Sequence, residues 1–188
     1  MAIEIEFKFP LPDKAEVRQR LIAAGGAVTH DERETNTLFD TPERELLAAD
    51  AGLRIRECAP RLNLPAHPNT LTYKGPAGVG AAKSREEIEL VVGDCAAAAL
   101  LLRRLGYESA VIYEKNRETW RLGPCVVTID ELPELGAWLE IEGPSETAVR
   151  AMREALNFAD VAPVRESYVA MAARVGRRRA DGAVELRF

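Results

Sequence analysis

Cysteine and histidine are scarce in this 188-residue chain. Three cysteines, Cys58, Cys95 and Cys125, are too few and too scattered for a disulfide framework or a thiolate metal site, and they fit a reducing, cytoplasmic setting. With only His30 and His67, imidazole catalysis and zinc binding have little to work with, so any chemistry falls to carboxylates, lysines, arginines and hydroxyls. Long apolar runs are missing too. The longest helix-like one, Cys95 to Leu102, lies between Asp94 and Arg103 and falls far short of the ~20 residues a membrane span requires. The N-terminus carries acids where a signal peptide needs a basic lead, so export is not expected. Nor is there a basic excess: 25 basic residues against 30 acidic ones, a net charge of -5, argue against sequence-independent binding to nucleic acid or an anionic membrane. What remains is 47% hydrophobic and 29% charged residues, the composition of a globular protein at a length that suits one domain.

Alternation with a period of two dominates the chain. It predicts strands near 2–9, 36–40, 53–58, 70–75, 84–92, 111–121, 125–131 and 137–143. Helices are expected between them. Asp13 and Glu16 form a capping box before Ala15, Val17, Leu21 and Ile22, with Gly25-Gly26 as the stop. A second helix runs from an Asp94 cap to Gly106, a third starts at Ser145, and a fourth includes Tyr168 to Val175. Pro60, Pro65 and Pro68 make Ala59 to Asn69 a long hairpin loop. Gly75 to Gly80 reads as a turn, because a phosphate-cradling loop must lead into a helix and this one lies between strands. Strands outnumber helices and βαβ alternation is absent, so the expected class is α+β, an antiparallel sheet or barrel braced by helices. The run Arg177-Arg178-Arg179 is expected to be solvated.

On these strands the charges are sorted by sign. Alternation puts Glu4, Glu6 and Lys8 on one face, with Ile3, Ile5, Phe7 and Phe9 on the other. Arg54 and Arg56 alternate with Leu53 and Ile55; Thr72 and Lys74 share a face; Arg85, Glu87 and Glu89 form a row; Lys115, Arg117 and Arg121 line up with Thr119; Glu140 and Glu142 flank Ile141; and Asp130 follows Ile129. One such strand is simply an amphipathic strand with a wet face. The set is different, because like charges on one strand face cost energy, and here acidic doublets recur at 4/6, 87/89 and 140/142 beside a basic doublet at 54/56. Paired carboxylates suit a hard divalent cation, and paired guanidiniums suit a phosphate chain. If the sheet closes on itself, an eight-stranded barrel leaves a hydrated bore wide enough for a slim ligand.

The opening Glu4-Ile5-Glu6-Phe7-Lys8 resembles the ExExK signature of the CYTH superfamily, the triphosphate tunnel metalloenzymes. The likeness continues through Phe39-Asp40-Thr41-Pro42, Leu53-Arg54-Ile55-Arg56, Leu71 to Pro76, Ser84 to Glu89, Tyr113 to Arg117 and Thr128 to Glu131, ending at Trp138 to Glu142. That resemblance implies an antiparallel eight-stranded β-barrel, or tunnel, flanked by helices, occupying residues 1–175 as a single domain with 176–188 as a tail. It implies Mg²⁺ or Mn²⁺ held by Glu4, Glu6, Asp130, Glu140 and Glu142. Phosphates would meet Lys8, Arg54, Arg56, Lys74, Arg85, Lys115 and Arg117, with Lys115, Glu4 and Glu6 closest to the chemistry. Roles for Glu87, Glu89 and Arg165 are left open. Members that hydrolyse triphosphate commonly carry a tyrosine where this chain has Leu38.

The expected function is metal-dependent hydrolysis of inorganic or organic triphosphates. Two alternatives stand beside it: a class IV adenylate cyclase making cyclic AMP and pyrophosphate from ATP, and a non-catalytic polyphosphate- or nucleotide-binding module. The expected partner is a small-molecule triphosphate or ATP, with no nucleic acid and no membrane. The number of subunits stays open, a homodimer included.

Overall fold

A computed structural model describes residues 5–76 and 86–188. The elements follow in the order β1 (Ile5–Pro10), α1 (Lys14–Ala23), β2 (Ala27–Asp40), α2 (Glu45–Ala48), β3 (Gly52–Pro60), β4 (Thr70–Lys74), β5 (Glu87–Val91), α3 (Cys95–Arg104), β6 (Glu108–Leu122), β7 (Cys125–Leu132), β8 (Gly136–Gly143), α4 (Glu146–Ala155), α5 (Tyr168–Val175), β9 (Arg177–Arg178) and β10 (Val184–Leu186). The fold is α+β. Eight strands stand in one ordered sheet, β1-β8-β7-β6-β2-β3-β4-β5. The ladders β1–β8, β8–β7, β7–β6, β3–β4 and β4–β5 are antiparallel, and the short β10 adds to β6 in parallel.

The expected caps form. Asp13 Oδ1 accepts the N–H groups of Ala15 at 2.8 Å and Glu16 at 3.1 Å, Asp94 caps α3 through Ala97, and Ser145 caps α4; Ser167, not among the expected caps, caps α5. Two features depart from the expectations. β2 begins at Ala27 rather than near 36, and a single helical turn, α2, follows it. Asp40 explains the turn: its carboxylate accepts the N–H groups of Thr41, Leu46 and Leu47 at 2.8, 2.9 and 3.1 Å, folding the Asp40-Thr41-Pro42 corner around one side chain. Beyond α5 the Arg177-Arg178-Arg179 run is exposed, as expected, and Arg177 and Arg178 also form β9, which pairs antiparallel with β10. The Gly75 to Gly80 turn and the Ser84 to Glu86 stretch lie largely outside the described residues.

The chain divides into two compact units, and β2 and β6 run through both. In the first (Met1–Arg33, Pro60–Ala66, Lys115–Glu166), the apolar faces of β1, β7 and β8 meet α1 and α4. Phe9, Val17, Leu21, Trp120, Val127, Leu139, Ile141, Val149 and Leu156 form its core. In the second (Glu34–Ala59, His67–Glu114, Ser167–Phe188), Phe39, Ile55 and Leu102 are buried, with Leu53, Leu71, Ala98 and Ala99 packed against them. In both units the apolar alternates of the strands take the helices, which leaves the charged alternates on the opposite face of the sheet.

Candidate functional site

The register fixes which charged side chains of the first unit are neighbours. Lys8 lies opposite Glu140, which in turn lies opposite Thr128; Glu6 lies opposite Glu142; Arg117 lies opposite Asp130. These residues sit on one sheet face; Glu6 at its edge is exposed, but the centre of the face is not solvated as an ordinary polar face would be. Asp130 is 0% exposed, Lys115 2%, Lys8 6% and Glu140 9%. A buried carboxylate must be compensated, and here the compensation is a tight network. Arg117 donates from Nε to Asp130 Oδ1 at 2.7 Å and from Nη2 to both Asp130 Oδ2 and Glu140 Oε2 at 2.5 Å. Lys115 Nζ donates to Asp130 Oδ2 at 3.2 Å.

Burial sets the proton affinities. Desolvation, helped by Asp130 and Glu6 and opposed by Arg117 and Lys115, pushes the Glu140 carboxyl up to about 7. Desolvation also lowers the Lys8 ammonium, although Glu140 and Glu6 pull it upward. Lys8 Nζ donates to the Glu166 carbonyl and lies 5.8 Å from the centre of the Trp138 ring, while Val164 N donates to Lys8 O at 2.7 Å. The connection after α4 is thereby tied to β1. It is the carbonyl of Glu166 that reaches Lys8; Arg165 is exposed.

The second unit carries its own polar face. Arg56 donates from Nε to Asn36 Oδ1 at 3.2 Å and pairs with Glu34 Oε2 at 3.3 Å. Arg54 and Arg56 lie opposite Thr72 and Thr70, Thr72 Oγ1 donates to Glu89 at 2.9 Å, and Lys74 pairs with Glu87 at 2.7 Å. Glu87 and Glu89 therefore serve as cross-strand partners of Lys74 and Thr72. Glu4 and Arg85 lie outside the described residues.

Sequence reasoning missed the inward row of β2. Glu32, Glu34 and Asn36 are all 0% exposed and share one strand face with Leu38. The signal was present as Glu-x-Glu-x-Asn at a period of two, directly upstream of the predicted strand at 36–40.

Among the described residues no three His, Cys, Asp or Glu side chains already stand together as a metal cage. The donor chemistry nonetheless fits a hard cation. Glu6, Asp130 and Glu140 offer oxygen alone; burial first, and the neighbouring Asp130 and Glu6 after it, raise Glu140, and a divalent ion would compensate that buried negative charge.

The chain belongs to the CYTH domain family, whose model matches residues 2–163. It is 27% identical over 176 residues to MJ0240 of Methanocaldococcus jannaschii, whose name assigns it provisionally to the adenylate cyclases; the match covers 89% of this chain and 97% of that protein. It is 32% identical over 140 residues to adenylate cyclase CyaB of Aeromonas hydrophila, covering 73% of this chain and 67% of that one. Its fold is similar to that of HpAC1 from Hippeastrum, with a TM-score of 0.65 at 17% identity, covering 97% and 100% of the two chains. That structure is described as revealing a dominant triphosphatase activity.

Proposed function

We propose that this protein is a divalent-metal-dependent phosphohydrolase acting on inorganic or organic triphosphates. The family comprises adenylate cyclases and triphosphatases and is generally divalent-metal dependent. One observation carries the finer reading: Lys8, Lys115 and Arg117 share one sheet face with the buried carboxylates Asp130 and Glu140 and with the exposed Glu6. That pairing supplies oxygen ligands for Mg²⁺ or Mn²⁺ and fixed cations for phosphoryl oxygens in a poorly hydrated setting, where such charges act most strongly. Glu4, Glu6, Asp130, Glu140 and Glu142 would hold the ion, and when bound it supplies Lewis-acid neutralisation of phosphoryl charge. Lys115 and Arg117 stabilise the charge that develops on the transferring group, Lys8 holds a further phosphate oxygen, and water attacks in line without a covalent nucleophile. In the second unit Arg54, Arg56 and Lys74 are the proposed phosphate-binding cations, joined by Arg85. The reading takes residues 1–175 as one functional domain and includes the closed eight-stranded tunnel.

The test is phosphate release from tripolyphosphate and from ATP by purified protein with Mg²⁺ or Mn²⁺. Metal-stimulated orthophosphate is the expected product. Cyclic AMP from ATP would instead establish the cyclase reading, which the names of the relatives and Leu38, in the place of a tyrosine common in hydrolysing members, favour. Tight triphosphate binding with no turnover would establish a binding module.

A further inference from the structure

Arg56 is held by two side chains for which the sequence suggested no role. Glu34 and Asn36 project from one face of β2 and are fully buried, while Arg56 stands on β3 with its side chain 22% exposed. The three polar groups close a small ring. Asn36 Nδ2 donates to Glu34 Oε2 at 3.1 Å, Asn36 Oδ1 accepts from Arg56 Nε at 3.2 Å, and Arg56 Nε lies 3.3 Å from Glu34 Oε2. The amide is the only arrangement of its size that serves both neighbours, because one end must donate to a carboxylate and the other must accept from a guanidinium. A carboxylate at 36 would stand against Glu34, and an aliphatic side chain would leave both partners short.

An arginine has a long, mobile side chain, and its value in phosphate recognition lies in the planar fork of its Nη groups. Engaging Nε fixes rotation about the Cδ–Nε bond and so sets the plane of that fork. Glu34 has a second effect: as a buried charge it draws the guanidinium toward β2 whether or not a ligand is bound. We propose that Glu34 and Asn36 are positioning residues that hold the Arg56 guanidinium in one plane to receive a phosphate group of the substrate. This rests on the triphosphate reading above.

Preorganisation predicts a specific kinetic pattern. Glu34→Gln and Asn36→Ala, neither of which touches substrate, raise the KM for tripolyphosphate about tenfold, the scale of one misaligned charge-assisted contact. The kcat stays within about twofold, because that contact is made equally in ground and transition states. In an Arg56→Lys background, where no fork remains to be oriented, neither substitution costs anything further. Equal losses in both backgrounds, an unchanged KM, or tighter binding in Glu34→Gln, as expected if Glu34 merely neutralised Arg56, would each overturn the proposal. A second measurement is independent of turnover: in the ligand-free protein the Arg56 Nε–H is protected from solvent exchange in ¹⁵N spectra, and both substitutions abolish that protection. If the unaltered protein neither binds nor hydrolyses triphosphate, the functional reading fails. The exchange measurement then decides the clamp alone, lost protection in the variants sustaining it and unchanged exchange refuting it.

Discussion

Arg117 is the residue on which the first unit's buried charge most depends. It donates to both Asp130 and Glu140, and Lys115 also donates to Asp130. Removing one partner of a buried ion network strands the other, so Arg117→Met is expected to lower the unfolding free energy of the metal-free protein by about 3–5 kcal/mol. Saturating Mn²⁺ should restore part of that loss, since a divalent cation takes over the compensation of the same carboxylates. Denaturant titrations with and without Mn²⁺ check both halves; a loss below about 1 kcal/mol would show that the network contributes little. Glu140 gives a prediction in pH. Its folded-state proton affinity lies above that of an unfolded glutamate, so the folded protein holds the proton more tightly. Its contribution to stability is therefore most favourable below pH ~4.5 and declines as pH rises through about 7. Glu140→Gln keeps the shape and removes the titration. In chelator the variant should gain on the unaltered protein by roughly 3 kcal/mol between pH 4.5 and 7.5, and a flat difference across that interval would refute the assignment.

At the scale of elements, the corner after β2 is built on a single carboxylate. Asp40 is 4% exposed and accepts three backbone N–H groups. Asp40→Ala orphans all three, and a cost of about 2 kcal/mol in unfolding free energy is expected, measurable by chemical denaturation. The elements that were legible in the sequence were those whose local chemistry and packing agree. α1, α3, α4 and α5 each begin at a side-chain cap that forms, and β6, β7 and β8 keep an apolar alternate that enters the core, such as Trp120, Val127 and Ile141. The first half of β2 was hidden because it has no apolar alternate. On one face Asp31, buried, pairs with Arg61 and the exposed Arg33 donates to Asn116, and on the other Glu32, Glu34 and Asn36 are polar but buried. Alternation between a polar face and another polar face looks like a loop. The same cause hid part of the candidate site: a polar strand face is buried only when other charges complete it, and those came from segments distant along the chain. β9 and β10 were lost for a different reason, since they are two and three residues long and owe their pairing to β6 and to each other.

For the whole molecule, the sorted charge bears on how a polyanion would be recognised. The net charge of -5 does not attract a polyanion, so the proposed affinity for triphosphate would come from the local cations and the metal and not from the long-range field. This distinguishes specific binding from screening. A non-hydrolysable triphosphate analogue with Mn²⁺, at ~100 times its Kd, adds about 2.7 kcal/mol to the unfolding free energy. In a chain of this length that corresponds to a rise in the thermal midpoint of roughly 5–10 °C. Sulfate at matched ionic strength screens surface charge equally but cannot bridge several phosphate contacts, so its effect should be about 2 °C or less. The analogue without metal should fall between the two, because the carboxylates that crowd Glu140 then repel the phosphate chain. If sulfate and the analogue shift the midpoint alike, the buried cations do not recognise a phosphate chain, and the charge sorting on these strands serves only to hold the sheet together.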